Sequence, residues 1–188
     1  MRTLTSAQQA YDWVHNPACH FERLKTLYVS ENFTWAEVFT NRTMAQIRTA
    51  SITIFQNAVK QAQRMETIRA YLRLKLGNVV IDVSSWWRPQ SVNKNIKGAA
   101  TGSRHLLALA TDFTVRGYAT DAGNRKIQAL LIQHFITLSV EITQGNWTHA
   151  DDRSGVVFTP TKNAKGDIIG YRVLSQTERQ QFIRRYAA

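Results

Sequence analysis

Two histidines and one aspartate have the residue types of a metal site. His105 and Asp112 lie seven residues apart in SRHLLALATD, and a third candidate ligand, His149, follows in NWTHADDR. Two imidazoles and one carboxylate are a ligand set for a hydrolytic zinc ion, which leaves the fourth position to water or substrate. The spacing of His105 and Asp112 does not suit one helix face, so a loop and a strand must converge to bring them together. Such a pair alone is a weak indication, because a histidine and an aspartate at this distance are common.

Short β-rich runs surround these candidate ligands. Strands are predicted at residues 79–83, 106–115 (with its approach), 140–143 and 146–150. Asp112 lies between apolar residues of the second run, where a carboxylate must be solvated, paired or bound to a metal. The last two strands, joined by Gln144 and Gly145, would place Glu141 beside the strand of His149. Residues 91–104 are polar, contain two glycines and predict a loop.

Helical patterns account for most of the remaining chain. Apolar residues recur at close to a 3.6-residue period from Ser51 to Leu76, which predicts a long helix ended by Gly77. Thr34 and Glu37 form a capping-box pattern before a short helix. Further elements are predicted at residues 5–28 (two helical pieces separated by Pro17), 124–138 (helix), 156–174 (hairpin) and 175–186 (helix). The sequence therefore predicts one α+β domain over residues 1–188, with a small antiparallel sheet packed against helices.

A second group of candidate metal ligands occurs near the N-terminus. His15 and Cys19 have helical i,i+4 spacing, and His20 follows directly. Pro17 disrupts that spacing and no fourth ligand is near, so we do not predict a metal site here.

The net charge indicates which classes of binding partner the protein favours. The formal net charge is +11, and such a field favours a polyanion: nucleic acid, an anionic membrane surface, or a bacterial wall with its teichoic acids and carboxylates. The basic residues are spread along the chain, which is equally typical of a solvated surface. The single cysteine rules out an internal disulfide framework. We expect no transmembrane segment, since the apolar runs are short, and no signal peptide at the N-terminus.

Several ordered motifs resemble one known family. SRHLLALATD matches the SxHxxGxAxD signature of the zinc D-Ala-D-Ala carboxypeptidases and L-alanyl-D-glutamate endopeptidases, which include phage endolysins, except that Ala108 replaces the usual glycine. SENFTWAEVF resembles the opening element of the hedgehog/DD-peptidase-like branch, and NWTHADDR resembles the closing W[VI]H segment. The upstream segment resembles SGYRSPxxN…GGAxxSxH at Ser85, Arg88, Asn93, Gly98, Ala99 and Ser103. The resemblance covers residues 29–153 and implies the hedgehog/DD-peptidase-like fold.

The resemblance assigns roles to matching residues. It implies that His105, Asp112 and His149 bind zinc. It implies that Arg88 holds the substrate carboxylate or polarises the scissile carbonyl, a task suited to an always charged guanidinium. Ser103 would hydrogen-bond the substrate or the region of Asp112.

The general base is open to two interpretations. Many family members place a carboxylate three residues before the last zinc histidine, but this position is Asn146, which cannot act as a base. Glu141 would face the zinc across a hairpin, and Asp151 follows His149 by two residues on the same side of a strand. We favour Glu141 over Asp151. Without a competent base, the site would bind without cutting.

These expectations combine into a functional hypothesis. The resemblance implies a zinc peptidase that cuts a peptide bond of the peptidoglycan stem peptide, as carboxypeptidase or endopeptidase, similar to a phage endolysin. Synthesis without a signal peptide would place its action at the bacterial wall after release from the cytoplasm. One alternative is a catalytically impaired relative that binds zinc or the cell wall. The other is a basic nucleic-acid-binding protein, although the aromatic residues are not interleaved with lysines as such proteins require, and we expect no stable nucleic-acid partner.

Overall fold

The computed structural model describes residues 4–143 and 145–187, so Gln144 of the predicted turn lies outside the described residues. The helices are α1 (Ala7–His15), α2 (Phe21–Leu24), α3 (Trp35–Val38), α4 (Met44–Ile47), α5 (Ile52–Leu76), α6 (Gln90–Asn93), α7 (Asp121–His134) and α8 (Gln176–Tyr186). The strands are β1 (Ile81–Ser85), β2 (Ala110–Val115), β3 (Ser139–Glu141), β4 (Thr148–Asp151), β5 (Val157–Lys162) and β6 (Ile168–Val173). The α+β prediction is confirmed.

The six strands form one sheet in the order β1-β2-β4-β3-β5-β6. The pairs among β1, β2, β4 and β3, which carry the candidate site, are antiparallel as predicted. The sheet as a whole is mixed, because β3 and β5 run parallel whereas β5 and β6 are antiparallel. The reason lies in the connection after β4. β4 is antiparallel to β3 and therefore ends near the start of β3, and residues 152–156 need only cross that end to begin β5 beside it.

The long helix α5 is the scaffold behind the sheet. The prediction for residues 51–76 is confirmed: Ser51 is the N-cap, and Gly77 ends the helix with a φ of 83°, which a side chain would disfavour. Its apolar face lies in the core, with Phe55, Met65 and Leu72 fully buried: each is 0% exposed.

A buried glutamine joins α5 to the central strands. The side-chain nitrogen of Gln61 donates to the hydroxyl of Thr111 on β2 and to the carbonyl of Ala150 on β4, each at 3.2 Å. Both acceptors adjoin candidate ligands in sequence. An unsatisfied buried amide is costly, so these bonds fix the position of α5 relative to the strands that carry the site.

The segment before α3 is held by capping and by a carboxylate of α5. The Thr34–Glu37 capping box is confirmed, with both reciprocal hydrogen bonds present. Glu66 accepts hydrogen bonds from the hydroxyl of Ser30 and from the backbone and side-chain nitrogens of Asn32. The N-terminal segment is thereby tied to the same helix that supports the sheet.

Two elements begin elsewhere than the sequence pattern predicts. The approach to β2 is a 3₁₀ turn, Arg104–Leu107, followed by Ala108 at a φ of 57°. This left-handed conformation is the one that glycine adopts most readily, and 108 is the position where the resembled family has glycine. Helix α7 begins at Asp121 rather than at 124, because the Thr120 side chain accepts a hydrogen bond from the backbone of Gly123.

The C-terminal part of the chain extends the sheet and packs on α7. The predicted hairpin is confirmed as β5 and β6, and Ser175 with Glu178 forms a capping box at the start of α8. None of the helices in the described ranges is both long and apolar enough to cross a membrane.

Candidate metal centre

Ligand atoms of His105, Asp112 and His149 converge at one point, and all lie within 4.8 Å of one another. Asp112 Oδ1 is 2.7 Å from His149 Nδ1 and 3.2 Å from His105 Nε2, and the two ring nitrogens are 3.3 Å apart. Both imidazoles are buried. Three hard or borderline donors facing one point are the donor set that zinc prefers in hydrolytic sites.

The sheet register places the strand-borne groups of this site. Asp112 of β2 lies directly opposite His149 of β4, and His149 lies opposite Glu141 of β3. Directly paired residues point to the same face of a sheet. The row continues across all six strands and comprises Ser85, Asp112, His149, Glu141, Phe158 and Val173. His105 enters from the 3₁₀ turn before β2, as the loop-and-strand interpretation requires.

In each imidazole, the ring nitrogen that does not face the common point makes a hydrogen bond that fixes the ring. His105 Nδ1 lies 2.6 Å from the backbone carbonyl of Trp86, and His149 Nε2 lies 3.0 Å from Asp151 Oδ2. Both partners are acceptors, so these nitrogens carry protons. Nε2 of His105, and Nδ1 of His149 once its second proton is lost, can then present lone pairs to the common point. The residues therefore fit a bound metal ion.

The charge balance of the group is asymmetric. Burial lowers the pKa of His105, and the nearby Asp112 offsets this only in part. Burial also lowers the pKa of His149, but its hydrogen bonds to Asp112 and Asp151 outweigh burial and raise the pKa to about 9. Burial raises the pKa of Asp112, yet the two imidazoles hold it well below its usual range. The two carboxylates thus favour the protonated form of His149, whereas burial favours the neutral form of His105.

Arg88 lies beside the ligands rather than apart from them. Its NH2 group donates to Asp112 Oδ2 at 2.7 Å, and its Nε donates to the Ser85 hydroxyl at 3.0 Å. The second carboxylate oxygen of Asp112 is thus oriented by a fixed charge, while Oδ1 faces the imidazoles. Ser103 precedes the 3₁₀ turn and lines the same cleft as Arg88.

The two candidate bases have different surroundings. Glu141 is half-buried, lines the cleft and makes no side-chain hydrogen bond to another described residue. Burial raises its pKa, which the positive charge of His149 opposes only in part. Asp151 is fully buried and is held by His149 and by the Arg153 guanidinium, with Arg153 Nε at 3.0 Å from Oδ2. Asn146 is exposed in the loop between β3 and β4.

A cleft of about 360 Å³ opens over these groups. The sequence interpretation did not single out Arg153, Phe158 or Tyr171, which also line it. Arg153 follows Asp151 by two residues, and this strand-like spacing of opposite charges was a usable signal. The sequence carried no signal for Phe158 and Tyr171, because their position in the cleft depends on how β5 pairs within the sheet.

The N-terminal candidates are not brought together. His15 uses both ring nitrogens on backbone carbonyls, those of Tyr11 and Arg48. Within residues 4–143 and 145–187, the group of three metal-ligating side chains that converges is that of His105, Asp112 and His149.

A comparison with known families agrees with the geometry. The family model described as Peptidase M15 matches residues 31–151, more than half of the chain and the part that carries all three converging ligands. No curated protein matches the chain at a significant level. The converging histidines and aspartate and the matched range together show that this chain belongs to the peptidase M15 family.

Proposed function

We propose that this chain is a zinc-dependent peptidase that cuts a peptide bond in the stem peptide of peptidoglycan. One observation carries the proposal: the sheet register puts the carboxylate of Glu141, which accepts no hydrogen bond from another described residue, directly opposite a candidate ligand, His149, on the wall of a cleft. A pure binding site has no need, beside its metal ligands, of a half-buried carboxylate that no described residue hydrogen-bonds, since burying such a group costs free energy.

His105, Asp112 and His149 would hold the zinc ion. A zinc ion in such a site supplies Lewis-acid chemistry, which lowers the pKa of water and polarises a carbonyl group. The hydrogen bonds that His105 donates to the Trp86 carbonyl and His149 donates to Asp151 keep the two imidazoles in the orientation that this binding requires.

Glu141 would act as the general base. It accepts a proton from the water molecule that attacks the peptide carbonyl, and it then delivers this proton to the nitrogen of the leaving amine as the carbon–nitrogen bond breaks. Burial favours this role, because a carboxylate with a raised pKa is a better proton acceptor than a fully solvated one.

Asp151 would position His149 rather than take a proton from water. Its carboxylate is 0% exposed, and both of its oxygens already accept hydrogen bonds from His149 or Arg153. A group enclosed in this way has no free face toward the cleft. These contacts favour Glu141 over Asp151 as the base.

Arg88 and Ser103 would act on the substrate side of the cleft. The guanidinium of Arg88 is fixed by Asp112 and Ser85 and also lines the cleft. A fixed positive charge there can hold a substrate carboxylate or stabilise the oxyanion that forms at the scissile carbonyl. Ser103 offers a hydroxyl from the same side.

The substrate class rests on resemblance and charge. The motifs resemble those of peptidoglycan peptidases, and a formal net charge of +11 favours approach to an anionic cell wall. We further propose action at the wall after release from the cytoplasm, as by a phage endolysin.

A specific alternative is a relative that binds the wall without cutting it, since Asn146 replaces the usual base carboxylate. Digestion of purified peptidoglycan with and without a zinc chelator, followed by mass spectrometry, separates the two. The proposal expects chelator-sensitive release of peptide fragments whose masses identify the bond. No release by zinc-loaded protein from several wall types would favour the binding relative.

A further inference from the structure

The β5–β6 hairpin lies beyond the residues that match the family, which end at 151, yet it forms one side of the cleft. Four of its residues that line the cleft are apolar or aromatic, Phe158, Ile168, Tyr171 and Val173, and a fifth, Arg172, is charged. The rest of the lining includes the polar side chains of Arg88, Ser103 and Arg104 and apolar residues such as Ile96 and Trp147. The hairpin and the candidate ligands therefore line one cleft.

The apolar residues of the hairpin begin next to the proposed base. Phe158 of β5 lies directly beside Glu141 in the parallel β3–β5 pairing. The centre of its ring is 5.9 Å from the ring of His149 and 5.7 Å from that of Tyr171, both in edge-to-face contact. The Arg153 guanidinium lies over the Phe158 ring at 4.6 Å. A substrate group in contact with Phe158 must therefore lie immediately beside the scissile bond.

The hairpin is fixed in this place by the loop before the 3₁₀ turn. The Tyr171 hydroxyl donates to the carbonyl of Gly98 at 3.1 Å, and Lys97 forms an ion pair with Asp167. A Cβ atom at Gly98 would lie 2.8 Å from the Cβ atom of Ile168, and the φ of Gly98 is 79°. Glycine permits this close approach, so loop and hairpin meet as one surface.

We propose that Phe158, Ile168 and Tyr171 form an apolar subsite that binds an apolar side chain of the peptide substrate next to the scissile bond, and that Tyr171 determines this specificity. The proposal rests on the proposed function and extends it, because it names the side-chain class that the site selects. Tyr171 is 40% exposed, so part of its ring remains available for contact with a ligand. Burial of a substrate side chain against this ring is the driving force for the selection.

The test is a binding and cleavage series on zinc-loaded full-length protein. The probes are series of short peptides. Within a series the peptides differ at one position, which carries glycine, alanine, valine or leucine, and there is one series for each position of the peptide. Affinity is measured by calorimetry and cleavage by mass spectrometry. The variants are Tyr171→Ala, which removes the ring, and Tyr171→Phe, which removes only the hydroxyl. The control is Ile169→Ala, an exposed residue of the same strand that does not line the cleft.

At one position, affinity should rise about fourfold for each methylene group added. This rise should vanish in Tyr171→Ala and persist in Tyr171→Phe and in Ile169→Ala. An equal rise in Tyr171→Ala, or binding of none of the peptides, would overturn the subsite. If the rise in affinity vanished in Tyr171→Phe as completely as in Tyr171→Ala, the effect would be due to the hydroxyl contact with Gly98. That result would overturn the role of the ring.

The outcomes also separate this inference from the proposed function. Side-chain selection in binding without any cleavage would leave the subsite standing and contradict the peptidase. Cleavage without side-chain selection would contradict the subsite and leave the peptidase standing.

Discussion

Glu141 lies directly opposite His149 across the β3–β4 pair, and His149 lies directly opposite Asp112 across the β2–β4 pair. The proposed base and two of the proposed metal ligands thus occupy one transverse row of the sheet. A register slip of one residue in β3 would turn Glu141 to the opposite face. The register of three short strands is therefore as important to the site as the identity of its residues.

The first prediction concerns the base. Glu141→Gln keeps the size of the side chain but cannot accept a proton. We expect zinc stoichiometry to remain unchanged and kcat to fall by about 10²- to 10⁴-fold, the usual contribution of a general base. Steady-state kinetics on a stem peptide released from the wall measure kcat. Metal analysis of the same protein sample measures the zinc stoichiometry.

The matched control is Asn146→Ala, in the exposed loop between the two strands. It should leave kcat near the wild-type value, since no proton transfer is assigned to Asn146. Undiminished turnover in Glu141→Gln would remove Glu141 from the role of base and return Asp151 to it.

The second prediction concerns the ligands. His149→Ala removes one of three donors, so tight zinc binding should be lost. His20→Ala is the control, because it removes an exposed imidazole outside the converging group. Competition with a zinc-sensitive dye gives both affinities. Stoichiometric zinc in His149→Ala would contradict the ligand assignment.

The third prediction distinguishes positioning from proton transfer. Asp151→Asn weakens the hydrogen bond that orients His149, so zinc affinity should fall by about 10- to 100-fold. At saturating zinc, turnover should recover in large part. Unchanged zinc affinity combined with lost turnover would instead identify Asp151 as the base.

The fourth prediction concerns protons released by metal binding. The pKa of His149 is about 9 in the metal-free protein, so its imidazole is protonated at pH 7, whereas burial lowers the pKa of His105. Zinc must displace the proton on His149. Between pH 6.5 and 8, apparent zinc affinity should therefore rise by about tenfold per pH unit, with about one proton released per ion.

Calorimetry in two buffers of different ionisation enthalpy counts these protons. Release of none at pH 7 would show that His149 is already neutral and that its contacts with Asp112 and Asp151 do not raise its pKa.

The candidate ligands could be identified from sequence because their residue types occur in ordered motifs. His105, Asp112 and His149 needed no knowledge of the fold, and the long helix α5 was evident from its period and from Gly77. The capping pair Thr34 and Glu37 was equally local. Each of these signals lies within a few residues of the feature that it predicts.

The remaining features depend on contacts between distant segments. The parallel pairing of β3 with β5 follows from a crossover that no local pattern encodes, and with it the placement of Phe158 beside Glu141. The 3₁₀ turn before β2 depends on hydrogen bonds from Asn57 to the carbonyl of Leu107 and from Trp86 to that of Ala108. The pairing of Asp151 with Arg153 could have been predicted from the sequence, but the burial of Asp151 could not.

Anomalous diffraction at the zinc edge from zinc-loaded crystals tests the central claim most directly. The account predicts one strong peak within bonding distance of His105 Nε2, Asp112 Oδ1 and His149 Nδ1, with the Glu141 carboxylate facing the open coordination position. A peak at another group of residues, or no peak from protein that retains zinc in solution, would contradict it.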